Sequence, residues 1–194
     1  KRIPGWEQLE RLLAHARDLS DAETHRARAD QIRDQRLLLN DPDLVKPAVA
    51  ALTQILRDAL NQADSAYRTG HEAGMDRLRD DANWEKLNPE QRNELLAEQK
   101  LTETDRPKIR VDSTDEILRT LTAAPLNALA DRIAALPGRF DRVLHAAAEI
   151  MEPEIQFVPI PRRTLKTGED VDAWLAEVRE KLTEALKTGP VAVK

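Results

Sequence analysis

One stretch of the sequence decides the fold. Residues 43–80 read D-L-V-K-P-A-V-A-A-L-T-Q-I-L-R-D-A-L-N-Q-A-D-S-A-Y-R-T-G-H-E-A-G-M-D-R-L-R-D. Apolar or small residues recur there at alternating steps of three and four: Val49, Leu52, Leu56, Ala59, Ala63, Ala66, Gly70 and Ala73. This spacing predicts one long helix with a narrow apolar stripe that tapers towards Ala and Gly. At about 1.5 Å per residue the helix would be roughly 50 Å long.

The flanking segments predict shorter helices with recognisable starts. Asn88-Pro89 and Thr167 are typical first residues of helices. Ser20 with Glu23 predicts a capping box for a second helix. Because most of the chain is predicted to be helical and few segments are β-rich, the sequence indicates a mainly α protein.

The C-terminal part ends differently from the rest. Residues 155–161 and 191–193 are β-rich, and their pairing would give a small β element tied to the last helix. The last helix is predicted to bury the apolar residues Val171, Trp174, Leu175, Val178, Leu182 and Leu186. The fold class is therefore a helical bundle around one long helix, with a small β element near the C terminus. A two-part division follows: residues 1–101 around the long helix, and residues 102–194 as a helical cluster with an α/β ending.

Composition limits the classes of function. The chain has 194 residues, of which 41% are hydrophobic, 34% charged and 3% aromatic, with a formal net charge of −5. This nearly balanced charge favours solvated helical faces over a dedicated nucleic-acid surface. The absence of cysteine excludes disulfides, thiolate nucleophiles and Cys-based zinc sites, and it favours a cytoplasmic location. No apolar run approaches the roughly 20 residues needed to span a membrane. Because the chain begins with Lys1 rather than Met, we expect a piece of a longer protein.

The motifs of common enzymes are missing from the sequence. It contains neither G-x-x-x-x-G-K-[ST] nor G-x-G-x-x-G, so no phosphate-binding loop is predicted. His71, Glu72 and Asp76 come nearest to a metal site, but His71 lies about 100° around the helix from Glu72, and surface charge explains them better. We therefore predict no catalytic, cofactor-binding or metal-binding residue, and a hydrolase using surface acids ranks last among the possible functions.

Small and aromatic residues mark possible interfaces. Gly70 and Gly74 are four residues apart, which favours close packing of two soluble helices over a bend in the long helix. Trp6, Trp84 and Trp174 are the large side chains of an aromatic-poor chain. They are predicted to lie in the core, and one of them could instead anchor a partner.

Two basic groupings suggest a different function, and the first is formed by arginines of the second predicted helix, Arg26, Arg28, Arg33 and Arg36. Arg162, Arg163 and Lys166 follow one another in an extended segment, where they could contact phosphates. Glu169 and Asp170 come soon after, and no aromatic platform accompanies the arginines. A solvated face is the default interpretation, and DNA contact is the alternative.

Five stretches together resemble a known family. They are I-P-G-W at 3–6, R-L-L-L-N-D-P-D at 36–43, N-W-E-K-L-N-P-E-Q-R-N-E-L-L at 83–96, T-L-K-T-G-E-D-V-D-A-W-L-A-E-V-R-E-K-L at 164–182 and L-K-T-G-P-V at 186–191. In this order they resemble the C-terminal region of the BrxC family, the P-loop ATPases of BREX phage defence, which are related to PglY. The resemblance spans essentially the whole chain, but none of its stretches is a catalytic signature.

The resemblance implies a non-catalytic assembly or interaction domain of a cytoplasmic defence ATPase. ATP and Mg²⁺ would bind only in an upstream part of the parent protein, so no nucleotide-site residue is carried over to this chain. The implied partners are the parent ATPase domain and other BREX subunits, and self-association is possible. The alternative within the same defence system is a DNA-contacting module that uses the basic residues near 162–166.

Overall fold

The computed structural model describes residues 2–39, 41–151, 156–161 and 163–193. This part of the chain is mainly α with one small sheet near the C terminus, which confirms the predicted fold class. The helices are α1 (Arg2–His15), α2 (Glu23–Asp34), α3 (Val45–Arg79), α4 (Ala82–Lys86), α5 (Pro89–Glu98), α6 (Thr114–Ala123), α7 (Leu126–Ala134), α8 (Leu136–Met151) and α9 (Gly168–Ala185), and the strands are β1 (Gln156–Val158) and β2 (Val191–Val193).

The chain divides into two compact units. The first unit contains Lys1–Asp76 and Leu101–Arg139, and the second contains Arg77–Lys100 and Phe140–Lys194. Each unit is thus assembled from two separate segments. The division into residues 1–101 and 102–194 stays a prediction about domains.

Helix α3 confirms the long helix expected from the sequence. It runs without interruption for 35 residues, including Gly70 and Gly74. Pro47 is its third residue, where the missing N–H costs no helical hydrogen bond. The Asp43 carboxylate accepts hydrogen bonds from the N–H groups of Val45 at 2.9 Å and Lys46 at 3.3 Å, and these bonds lower the pKa of Asp43.

The buried stripe of α3 differs from the predicted one in its second half. Ala66 and Ala73 are exposed, so their placement on the buried stripe was wrong. The buried side is instead formed by Val45, Ala48, Leu52, Leu56, Leu60, Tyr67, Gly74 and Leu78. The reason is the helical repeat, since a pattern with a period of 3.5 residues drifts by about 20° per heptad around a straight helix. Leu56 and Gly74 are 18 residues apart, which is about five full turns.

The first unit has one continuous hydrophobic core. Five helices contribute fully or largely buried side chains, with Leu9 and Leu12 from α1, Ala29 and Ile32 from α2, Leu52 and Leu56 from α3, Ile117 and Leu121 from α6, and Leu129 from α7. Trp6 packs against this core and is half-buried. A Cβ atom on Gly70 would lie 3.2 Å from Leu136 Cδ1, so a glycine there lets α3 approach Leu136 closely.

Some helix starts predicted from capping residues are confirmed and others are not. Asn88 and Gln91 form a reciprocal capping box at the start of α5, as expected for Asn-Pro. The predicted box at Ser20 and Glu23 was wrong, because residues 20–22 form a 3₁₀ turn and α2 begins only at Glu23. A short further helix, α4, follows α3, and its N-cap Asp81 accepts hydrogen bonds from two backbone N–H groups.

The second unit ends in a β–α–β arrangement. Strands β1 and β2 pair in parallel, with Phe157 opposite Ala192, which confirms the predicted pairing of the two β-rich segments. Helix α9 connects the strands and contacts β1. Thr167 caps the start of α9 as expected, and it forms a capping box with Asp170. Ile155, the first residue of the predicted β segment, lies outside the described residues.

Candidate functional site

The most distinctive surface of the molecule is an apolar face of α9 that the described chain covers only in part. Val171 is 38% exposed, Leu175 51% and Leu186 60%, and Leu182 is half-buried beside them. Leu186 follows the last residue of α9, and its N–H still donates to the Leu182 carbonyl at 2.9 Å, so it continues the helical path. At about 100° per residue, the four side chains lie within roughly 60° of arc. We call these four residues the α9 stripe.

The prediction that this face is buried was therefore wrong for Val171, Leu175 and Leu186. Trp174 and Val178, which belong to the same predicted face, are half-buried. Dimensions explain the difference, because an 18-residue helix is about 27 Å long whereas a three-residue strand is about 10 Å long. The two-stranded sheet is too small to cover the whole apolar face of α9.

The opposite edge of this face is fixed in place. Trp174 donates a hydrogen bond from its indole Nε1 to the Pro161 carbonyl at 2.8 Å. Glu177 pairs with Lys181 at 3.1 Å and with Arg163, and the pKa of Glu177 is lowered, chiefly by the hydrogen bond from Lys181. The contacts of Trp174 with Pro161 and of Glu177 with Arg163 join α9 to the segment that precedes it, whereas the Glu177–Lys181 pair lies within α9.

The start of α9 is held by its own capping residues. The Asp170 carboxylate accepts hydrogen bonds from the N–H groups of Lys166 at 2.9 Å and Thr167 at 3.0 Å, and these bonds lower the pKa of Asp170. Thr167 Oγ1 accepts in turn from the Asp170 N–H at 3.2 Å. The contribution of Asp170 to stability is therefore complete above the ordinary carboxyl pKa and is lost as the pH falls through the lowered value.

The basic cluster predicted from sequence is only partly available for a ligand. Arg162 lies outside the described residues. Arg163 is engaged with Glu177, and Lys166 is exposed. The described part of this cluster therefore offers Lys166 directly and Arg163 only if its ion pair opens.

The other predicted interface residues lie mostly inside the fold. Trp84 is 5% exposed in the second unit, where the Arg92 guanidinium lies 5.8 Å from the centre of its ring. Gly74 is buried and Gly70 half-buried within α3. Trp6 and Trp174 are half-buried, and among the predicted residues Trp174 lies next to the α9 stripe along the helix surface.

A second surface, which sequence reasoning missed, is a pair of basic grooves in the first unit. One groove, of about 510 Å³, is lined by Arg11, Arg119 and Asp115 among others, and the neighbouring groove, of about 230 Å³, by Lys108, Arg110, Arg119 and Glu116. None of the four basic side chains forms an ion pair with any residue that the structure describes. We call Arg11, Lys108, Arg110 and Arg119 the four cations of the basic grooves.

One threonine places the basic segment beside α6. Thr120 Oγ1 donates to the Arg110 carbonyl at 3.0 Å and accepts from the Arg110 N–H at 3.2 Å. These two hydrogen bonds to the Arg110 backbone hold residues 108–110 next to Arg119. Contacts between α1 and α6 bring Arg11 to the same face. Arg11 is far in sequence from the other three cations, and Lys108-x-Arg110 is the local sequence pattern that could have indicated this surface.

No family model, curated protein or solved structure matches this chain. The two surfaces must therefore be interpreted from their own chemistry.

His71, one of the residues considered for metal binding, has other neighbours. His71 Nε2 lies 2.8 Å from the Leu101 carbonyl oxygen, and its ring stacks on Tyr67 with 5.9 Å between ring centres. Across the described ranges, no three His, Asp or Glu side chains come together in a way that would hold a metal ion. None of the helices searched in those ranges has the length and apolarity needed to cross a membrane.

Proposed function

We propose that this chain is a non-catalytic assembly domain, and that the α9 stripe is its contact surface. The observation that supports this proposal is the exposure of three aliphatic side chains on one rigid helical face. Covering apolar surface is favourable by about 25 cal/mol per Å², so a partner helix or groove would gain free energy by docking there. An exposed apolar face flanked by charged residues is typical of a protein interaction site.

The resemblance to the BrxC family gives this proposal a biological setting. The parent would be a BREX phage-defence ATPase in the cytoplasm, with ATP and Mg²⁺ bound in its upstream part. The contacts of this domain would then be the parent ATPase domain or other BREX subunits. We expect the isolated chain to have no ATPase activity, and tight ATP binding by it would contradict this proposal.

Charge substitution on the stripe tests the assembly function. We expect Leu175→Glu to lower capture of the purified parent ATPase or BREX subunits at least tenfold, because it places a carboxylate in an apolar contact. Ala173→Glu is the matched control, since Ala173 is exposed on another face of the same helix. The measurement is binding to immobilised chain. Equal capture by both variants and the unaltered chain would argue against the stripe as the contact surface.

The basic grooves support a second candidate function, contact with a nucleic-acid backbone. Four cations without ion-pair partners around two adjoining grooves could each contact a phosphate, even though the chain as a whole is acidic. Arg11, Arg110 and Arg119 are exposed, so the cost of approaching a phosphate is small. This site differs from the predicted cluster at Arg163 and Lys166.

Salt-dependent DNA binding distinguishes the two basic sites. We expect Arg110→Ala/Arg119→Ala to weaken binding of a labelled duplex and to reduce the slope of log K against log salt by about 2. Arg163→Ala/Lys166→Ala removes the same charge from the C-terminal cluster and should change neither quantity. Fluorescence anisotropy measures both. The reverse result would assign DNA contact to the C-terminal cluster, and no binding at low salt would remove this function.

A further inference from the structure

The α9 stripe has an internal symmetry that points to one particular partner. Val171 and Leu186 lie equally far from the point between Val178 and Arg179, and so do Leu175 and Leu182. If two α9 helices pair in opposite directions about this point, Val171 of each copy meets Leu186 of the other. Leu175 likewise meets Leu182. Every residue of the stripe then has an apolar counterpart, as the seam of a helix pair requires.

The charges of α9 favour the same arrangement. Its first half carries Glu169, Asp170, Asp172 and Glu177 with no basic residue, whereas residues 178–187 carry three basic and two acidic residues. Pairing in opposite directions brings the acidic half of one helix to the net basic half of the other. Parallel pairing would place the acidic halves together. The helix dipoles also oppose each other in the first arrangement, which is the favourable orientation.

One charged residue lies at the centre of this register. Arg179 lies close to the symmetry axis, where it meets its own counterpart. This like-charge contact is the one unfavourable element of the pair.

We propose that two copies of this chain associate through the α9 stripe, with the two α9 helices running in opposite directions. This inference rests on the proposed assembly function and names its partner as a second copy. The pair is centred between Val178 and Arg179. This arrangement predicts a homodimer that becomes more stable when the repulsion between the two Arg179 side chains is removed.

Single cysteines give the sharpest test, because the chain has none of its own. Arg179→Cys should form a disulfide-linked dimer, since the two Cα atoms near the axis can come within the roughly 7 Å that a disulfide allows. Val171→Cys alone should not, because it lies opposite Leu186, about 22 Å along the helix from its own counterpart. Val171→Cys/Leu186→Cys should cross-link again. Cross-linking of Val171→Cys alone would overturn the opposed direction.

Sedimentation of the cysteine-free chain tests the association itself. We expect a dimer of twice the 21.9 kDa chain mass. Leu175→Glu should raise its dissociation constant at least tenfold, Ala173→Glu should leave it unchanged, and Arg179→Leu should lower it. A chain that stays monomeric, while Leu175→Glu still reduces capture by a BREX subunit, would overturn self-pairing and keep the assembly function. If the chain is monomeric and the stripe variants do not change capture of a BREX subunit, both self-pairing and the assembly function are overturned.

Discussion

Replacing Leu56 by alanine will lower the free energy of unfolding by about 3 kcal/mol. Leu56 lies in the first half of α3 and is fully buried, between Leu52 and Leu60 in the same buried row. Removing three carbon atoms there loses their transfer free energy and leaves a cavity, because helices from several parts of the chain hold the surrounding core in place. The first unit therefore cannot relax fully around the smaller side chain.

Urea unfolding followed by circular dichroism measures this loss. Leu175→Ala is the matched control, since it removes the same atoms from a side chain that is 51% exposed, and it should cost less than about 0.5 kcal/mol in the monomer. The two variants should have the same dependence on urea as the unaltered chain. Similar losses for both leucines would mean that the burial assigned to Leu56 is incorrect.

Replacing Ala66 by proline will cost about 3 kcal/mol or more, although its side chain is exposed. Ala66 lies far from both ends of α3, so proline there removes an i→i−4 hydrogen bond and clashes with the preceding turn. Packing contributes little to this effect. The loss instead measures the continuity of α3 as one helix through the region of Gly70 and Gly74.

The comparison with other substitutions separates backbone from side-chain effects. Ala66→Ser should cost only about 0.5 kcal/mol, which is its difference in helix propensity. Pro47→Ala should be equally mild, because Pro47 occupies the first turn of α3. Thermal and urea unfolding give these values. Equal tolerance of serine and proline at position 66 would indicate that α3 is interrupted there.

Features decided by neighbouring residues were predictable from the sequence. Asn88 and Thr167 cap their helices as expected, and each does so within a capping box formed with a side chain three residues later. The length of α3 follows from its uninterrupted pattern and the proline at its start. Ser20 and Glu23 have the same spacing, but the 3₁₀ turn that follows Leu19 takes the backbone away from the required geometry.

Features decided by distant residues were not predictable. The burial of Gly74 and exposure of Ala73 depend on the accumulated rotation of α3, which a count of threes and fours does not give over several turns. The sequence identified the apolar face of α9 but could not show that the sheet beside it is too small to cover it. Arg11 joins the other three cations of the basic grooves only because α1 and α6 are in contact.

The two-segment construction of the first unit has a consequence for how the chain is made. Translation delivers α3 long before it delivers Ile117, Leu121 and Leu129, the core residues from α6 and α7. At about 5–20 residues per second, the 60 residues from Arg79 to Arg139 take roughly 3–12 s to synthesise. During that interval the nascent chain displays Leu52 and Leu56 without their later neighbours. This exposed row is where a ribosome-bound chaperone would be expected to hold the growing polypeptide.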